Sequence, residues 1–547
     1  MDLLLSSAFH ARAEALLTKY RVPGLAIAVT HRSRTETCAF GLAQLEPPTP
    51  CTPDTLFDVA SASKSMTAAA VALLVEDADG RRHPGVRWDA VVSELLPGDF
   101  ILPTEELTRA VTLDDIVSHR TGMPTHDWSY HGTVSKTPDT SLSVTRNLRH
   151  LPVSAPLRTK YMYNNMMYTV CAHLVQHSTS LSFSAFLEQH FFGPLGMRSS
   201  SLQPSRARAK GLSARLASGY TWVRGGDEPS HHALVPMVEC PEADGAGSII
   251  TSVSDYILWV RALLHRQAPV TEEVYAGLLR GRTIVDPDGA ELEPHSSPAL
   301  YGAGLEVDYY RGHQRVQHGG GVTGFASKHL FLPAHEFGIV VAANSGEGGH
   351  AAASVLVHEL VDELLGVPAA ERTDWEALVD TWEARSEEDD DPERCEATLT
   401  RGILESIARD QKDKKEERDG KEEDGKVKDQ VKKDQGENEA VPQPLTTPLE
   451  TYAGTYEHPG YHQLVLEIKD GKLFVDASER SFGFTGVFNH VADQRLFTLR
   501  MAESQAWGGQ DLTAVKAEFT LDDGKITQLG IALDPDMDDE MIWFMRR

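Results

Sequence analysis

The sequence predicts a mixed α/β (α+β) chain in which a helix-rich region is followed by a small antiparallel β module, and three observations carry that expectation. An apolar extended stretch gives way to a helical one within residues 56–75, a charged low-complexity segment occupies 386–444, and short strands with Asp-Gly turns fill 445–547. At 547 residues the chain is too long for one compact core, so two or more domains are expected, and a hydrophobic share of 41% is enough to fill them.

At the N-terminus, Met1-Asp2-Leu3-Leu4-Leu5-Ser6-Ser7 has an acidic residue where a signal peptide carries positive charge, and its apolar run is short. Neither a secretion signal nor a membrane span is read there, and a cytoplasmic location is expected. His10 to Tyr20 reads as an amphipathic helix leading into the first strand. Leu56, Phe57, Val59 and Ala60 read as the buried end of an extended segment, and Met66 to Val75 as a helix packed on nearly all sides. Tyr161 to Asn165 precede the apolar stretch Met166 to Leu174, and Gln317 to Gly321, ahead of Phe325 to Leu332, read as a turn into a strand.

Glu, Asp, Lys, Arg and Gln dominate the segment from Ser386 to Pro444, which cannot bury enough apolar surface to fold by itself and reads as a solvated linker. A short helix is expected around Ile403 to Ile407, and i,i+4 charge pairs support intermittent helicity along the segment. Beyond it, Tyr452 to Tyr456, Leu464 to Leu466 and Leu473 to Val475 around Asp470-Gly471, and a further pair around Asp523-Gly524 before Ile542 to Phe544, read as an antiparallel barrel or sandwich.

Ser61-Ala62-Ser63-Lys64 carries the chemistry. Residues three apart share a helix face, so the Lys64 amine can reach the Ser61 hydroxyl. Ser61 sits at the helix mouth, where an unpartnered N-H and the helix dipole favour developing negative charge. Ser-x-x-Lys recurs by chance about twice in a chain of this length. What distinguishes this copy is the apolar setting of Lys64, since desolvation favours the neutral amine that accepts a proton. Tyr163 adds a phenol able to relay a proton, Asn165 an amide able to hold a substrate carbonyl or orient the Lys, and His318 to Gly321 a glycine-rich edge that a substrate backbone can approach.

These elements resemble the serine β-lactamase and penicillin-binding-protein superfamily, in its class C-like branch of esterases, D-amino-acid peptidases and acyltransferases. Ser61/Lys64, Tyr163/Asn165 and His318/Gly320 match its Ser-x-x-Lys, Tyr-x-Asn and His-x-Gly elements in order. Ser-Asp-Asn and Lys-Thr-Gly, the companions found in β-lactamases, are both replaced, which points away from a dedicated penicillinase. Val22 to Ala28, Ser118 to Pro124, Gly193 to Met197, and Gly245 to Ser248 ahead of Asp255 extend the resemblance over the first two thirds of the chain. The resemblance implies a β-lactamase/transpeptidase-like antiparallel sheet flanked by helices plus a helical subdomain over 1–385, a linker over 386–444, and a lipocalin-like barrel over 445–547. The barrel is expected to fill its own interior and act as a packing or cleft-bordering module rather than an independent ligand carrier. His119, Arg120 and Asp127 are expected to brace the cleft through hydrogen bonds.

The expected function is a serine acyl-enzyme hydrolase acting on a small-molecule or short-peptide ester, amide or lactone; acyl transfer with the same residues, or a non-catalytic binding member, are the alternatives. Ser61 is the expected nucleophile, Lys64 the base and Tyr163 the relay. Asn165, His318, Gly320 and Gly321 bind substrate, with the Ser61 and Gly321 N-H groups implied as oxyanion donors and His318 as a donor or positive charge. No cofactor and no metal are expected: no His-Glu-x-x-His occurs, and His231/His232 lie in polar, loop-like sequence. Gly319-x-Gly321-x-x-Gly324 matches a dinucleotide fingerprint by spacing, but a strand-like run follows where a helix is needed. A net charge of -28 argues against nucleic acid or an anionic membrane as partner. Five cysteines without a tight pattern fit a reducing compartment.

Overall fold

The computed structural model describes residues 4, 6–77, 83–224, 229–290, 292–389, 391–419, 441–504, 511–522, 524–538 and 540–547. Met1 to Leu3 and Leu5 of the N-terminal reading, Asp390 and residues 420–440 of the charged segment, and Asp523 of the Asp523-Gly524 turn lie outside them. The chain divides into two compact units, one built chiefly on Met1–Ala384 and the other chiefly on the residues from Arg385 onward.

The first unit is organised on a nine-stranded sheet. Its strands are β1 (Gly24–His31), β2 (Arg34–Gln44), β3 (Thr49–Pro50), β4 (Thr283–Ile284), β5 (Leu300–Tyr301), β6 (Glu306–Tyr310), β7 (His313–Val322), β8 (Phe325–Leu332) and β9 (Phe337–Ala343). The order is β3-β2-β1-β9-β8-β7-β6-β5-β4, and every neighbouring pair is antiparallel. β1 and β9 are apolar almost throughout because helices cover both faces. Period-two alternation sorts them by size: Leu25, Ile27, Val29, Ile339 and Val341 pack with α1 (Ser7–Lys19) and the helix Glu347–Leu364. Small residues line the other face. A Cβ at Gly338 would come within 2.5 Å of Val260 on the helix Val253–His265.

Gln317 to Gly321, read from sequence as a turn, lie inside the ten-residue strand β7. Glycine disfavours strands intrinsically, so the pairing with β8 overrides local preference. No helix start follows this glycine pattern, as expected from the strand-like run after it. His231/His232 also sit on a strand, His231–Val235, paired with Gly219–Val223. Cys38, Cys51, Cys171, Cys240 and Cys395 are free thiols.

The second unit is a closed barrel of eight strands, from Gly454–His458 to Ile542–Arg546. Its interior is filled: Tyr452, Phe497 and Phe519 form a ring cluster with centroids 5.0–5.2 Å apart. Before it, the charged segment departs from the expected short helix. Pro392–Asp419 form one continuous 28-residue helix. Ile403 and Leu404 on it are buried against Val491, Ala492 and Leu496. The segment supplies one apolar stripe, and a barrel wall distant in sequence supplies the surface that makes burying it worthwhile. Among the described residues, no helix is long and apolar enough to cross a membrane.

Candidate active site

Phe57–Asp58 pair with Ile249–Thr251, and a single turn of 3-10 helix, Ala60–Ser63, then leads into α2 (Lys64–Glu76). Ser61 is therefore in the turn before the α-helix. Ala60 takes a left-handed φ of 45°, and its N-H is held by Asp58 Oδ1 at 2.7 Å. Helix α3 (Asn165–Thr179) and helix α4 (Val253–His265) follow later in the chain, and two residues of α4 fasten this region. On α4, Tyr256 donates its hydroxyl to the Ala62 carbonyl at 2.7 Å, and Trp259 Nε1 donates to Ser65 Oγ at 3.0 Å.

Lys64 is fully buried, and its Nζ makes three contacts: Ser61 Oγ at 2.9 Å, Asn165 Oδ1 at 2.7 Å and the Ala246 carbonyl at 2.8 Å. Burial lowers its pKa to about 7, opposed by the charge of Asp127. This arrangement selects a direction for the lone pair. The amide and carbonyl oxygens accept but cannot donate, so a neutral amine keeps its two N-H bonds on Asn165 and Ala246 and turns its lone pair to Ser61. Ser63 is spoken for elsewhere, accepting from Ile249 N at 3.2 Å.

Tyr163 hydrogen-bonds the Ser61 hydroxyl, and burial pushes its phenol well above the usual range, so it carries its proton at neutral pH. The Lys64 Nζ lies 4.8 Å from the Tyr163 ring centre. Asn164, between Tyr163 and Asn165, caps α3 by accepting from Met167 N at 3.0 Å, which turns its two neighbours into the cleft. Asn165 in turn donates to Asp127 Oδ2 at 2.9 Å. His119 stacks on Tyr163 with centroids 4.3 Å apart and accepts from Asn164 N at 3.0 Å, while Arg120 donates to Asp115 at 2.7 Å. His119 and Asp127 hold the Tyr163–Asn165 segment, whereas Arg120 bonds to Asp115 and the Arg282 carbonyl rather than to it.

His318 differs from its sequence reading. It is buried, 2.9 Å from the Tyr301 hydroxyl, and burial together with the charge of Lys64 lowers its pKa to about 4. At neutral pH it carries no positive charge, and only its role as a hydrogen-bonding group fits. Gly320 lies against the Ser61 turn: a Cβ there would sit 2.1 Å from the Val59 carbonyl oxygen. Its lack of a side chain lets β7 and the turn meet.

The register also shows where β7 is open. β6 reaches only to Gln317, leaving that edge of Gly319 to Val322 unpaired. The hairpin β7–β8 closes on Val322–Phe325 and the hairpin β6–β7 on Tyr310–His313. Two-residue hairpins close on a hydrogen-bonded pair, and bonding alternates along antiparallel strands. Even-numbered residues of β7 therefore bond to β8, and the N-H and C=O groups of Gly319 and Gly321 point to the open edge. Tyr301, Ala246 and the Asp127–Asn165 link were not singled out for these roles in the sequence, because they reach the site from remote segments. The one local signal is Gly245, whose φ of 92° and close approach to the Tyr168 carbonyl present Ala246 to Lys64.

Comparison with known proteins gives the same fold. A penicillin-binding protein homologue from Pyrococcus abyssi superposes with a TM-score of 0.57 at 17% identity, covering 95% of this chain and 97% of that one. The D-amino acid amidase of Ochrobactrum anthropi superposes with a TM-score of 0.51 at 19% identity, covering 65% and 99%. In sequence, the chain is 32% identical to an unguisins hydrolase of Aspergillus violaceofuscus, across 98% of this chain and 90% of the relative. It is 25% identical to a D-aminopeptidase of Gluconobacter oxydans, across 66% and 64%. Residues 438–546 match a domain of unknown function. Residues 9–361, well over half of the chain, match the Beta-lactamase family model, and the chain belongs to that family of hydrolases.

Proposed function

We propose that the protein is a serine hydrolase that forms an acyl-enzyme on an amide, ester or lactone, with Ser61 as nucleophile. One observation carries the reading: a buried amine with a pKa near 7 stands 2.9 Å from a serine hydroxyl, its other two hydrogens held by fixed acceptors. Ser61 Oγ bonds to the carbonyl carbon while its proton passes to Lys64 Nζ. The N-H groups of Ser61 and Gly321 receive the oxyanion. The proton then reaches the leaving group through Tyr163 as the bond to that group breaks, giving the ester on Ser61. Water adds to this ester, and Ser61 regains its proton. Asn165 holds Lys64 and presents its amide to substrate, and neutral His318 positions Tyr301 beside the cleft. The relatives named as a D-aminopeptidase and an unguisins hydrolase support an amide or peptide substrate.

Mass spectrometry after exposure to a p-nitrophenyl ester, a β-lactam and a fluorophosphonate tests this. A single adduct on Ser61, absent from Ser61→Ala and retained in Ser63→Ala, is expected. Labelling that persists in Ser61→Ala, or maps to Ser63, overturns the assignment.

A further inference from the structure

The face of β7 opposite the nucleophile borders a second cavity of about 330 Å³, with Glu306, Gln317, Gly319, Lys328, His350 and Trp382 in its wall. The register groups them. Glu306 stands opposite Gln317 and Lys328 opposite Gly319, and cross-strand partners share a face. Gly319 contributes no side chain, and a Cβ there would have no neighbour closer than 3.8 Å, so the cavity stays open above the strand. Two residues on, a Cβ at Gly321 would come within 2.7 Å of His350 Nε2, which places the helix Glu347–Leu364 against the same edge.

Carboxylates outnumber cations among the lining residues, where Glu293, Glu306 and Glu383 face Lys328. Arg315, buried behind the wall, is committed to Asp308 at 2.6 and 2.8 Å and to Glu293 at 2.7 Å. That leaves Lys328 against the carboxylates of Glu306 and Glu383. Burial raises the Glu306 carboxyl to about 7, with only longer-range charges acting on it. Gln317 is 8% exposed, and its Oε1 has no hydrogen-bond partner. A buried acceptor without a donor costs about 1–3 kcal/mol, which a ligand donor would recover. His350 is held neutral by burial, with a pKa of about 4, and supplies no compensating charge.

We infer that this cavity is a subsite for a substrate ammonium group, reached from Ser61 along the open edge of β7. The inference rests on Ser61 being the nucleophile. Gln317 Oε1 and Glu306 accept the ammonium hydrogens, and the Trp382 indole offers an aromatic surface to the cation. Gln317 stands four residues from Gly321, about 14 Å at roughly 3.4 Å per residue, and the gap without a side chain at Gly319 lies halfway, about 7 Å from Gly321. An amine about 7 Å from the acyl carbonyl enters at that gap, where the Gln317 side chain can extend to meet it, at the reach of an amino terminus or an aliphatic amine on a peptide-like substrate.

Hydrolysis of p-nitrophenyl 6-aminohexanoate and of its N-acetyl counterpart by the whole chain tests the subsite. A kcat/KM ratio of at least ten in favour of the free amine is expected, expressed in KM, and Glu306→Gln should bring it close to one. Turnover of both esters with a ratio near one overturns the subsite alone, as does a ratio unchanged in a Glu306→Gln variant with a native circular dichroism spectrum. If Glu306→Gln does not fold, competition on the unsubstituted chain decides: hexylamine should inhibit at a concentration at least tenfold below hexanol, and equal potency overturns the subsite. A chain that hydrolyses neither ester and takes no fluorophosphonate label overturns the nucleophile reading, and the subsite with it.

Discussion

Replacing Asp127 by Asn should move the pH dependence of acylation, because this carboxylate is the charge that holds the Lys64 pKa up against burial. Asp127 Oδ2 accepts from Asn165 Nδ2 at 2.9 Å, and Asn165 Oδ1 accepts from Lys64 Nζ at 2.7 Å. The carboxylate thus acts across one amide, about 7 Å from the ammonium. At an effective dielectric of about 20, a charge pair at that distance is worth about 2 kcal/mol, or about 1.5 pH units. Removing the negative charge favours the neutral amine, so the Lys64 pKa falls from its value of about 7. The asparagine keeps the shape, with its oxygen facing Asn165 and its amide facing the Tyr130 hydroxyl that now bonds Asp127 at 3.0 Å. The assay is kcat/KM for p-nitrophenyl acetate against pH, read at the isosbestic wavelength of nitrophenol. The rising limb should lie near pH 7 in the parent and about 1.5 units lower in Asp127→Asn, with the two curves converging above it. A limb that stays in place, or moves to higher pH, would falsify the assignment of Lys64 as the base.

Tyr163→Phe keeps the ring against His119 and Lys64 but deletes the hydroxyl bonded to Ser61, so turnover should fall about 10²-fold or more with the circular dichroism spectrum unchanged; a variant of near-normal rate rules out the phenol as relay. Gly320→Ala pushes a methyl to within 2.1 Å of the Val59 carbonyl oxygen and should destabilise by roughly 3 kcal/mol, and an unshifted thermal midpoint would show that β7 and the turn can part freely. Leu404→Ala removes a buried contact to the barrel and should cost about 2 kcal/mol. Amide hydrogen exchange in residues 392–419 should then speed up, and protection equal to the parent's would mean that the helix is held by something else.

The contact between Ser61 and Lys64 was legible because it is local: three residues along one helical turn bring an amine to a hydroxyl whatever the rest of the chain does. Tyr163 and Asn165 were legible for a similar reason, flanking a residue that caps a helix. What stayed hidden depends on distant segments. Apart from the glycine at 245, nothing near Ala246 announces that its carbonyl faces Lys64, 182 positions away. The neutral state of His318 likewise follows from its burial beside Lys64, since a histidine in a glycine-rich stretch reads as exposed. Glycines also disguised β7 as a turn. The helix Pro392–Asp419 was underestimated because a stripe as narrow as Ile403, Leu404 and Ile407 is too small to fold alone and too large to ignore once a matching wall exists.

The sorting of small and large residues on the two faces of β1 and β9 reaches well beyond packing. Tyr256 and Trp259, which fasten the Ser61 turn, ride on the same helix as Val260 and Leu264, and those two rest on the bare backbone of Gly338. The depth of Ser61 in its cleft is therefore gauged from the sheet face on which this helix rests, the same face that Ser327 and Gly320 present to Val59. A methyl group added at Ala26, Ala28 or Gly338 would lift this helix as a lever and tilt the serine it carries. Inactivating substitutions in this protein should accordingly fall in two separate regions of the sequence map, one around the cleft and a second along these small strand positions, and a screen that ranks residues only by distance from Ser61 would overlook the second.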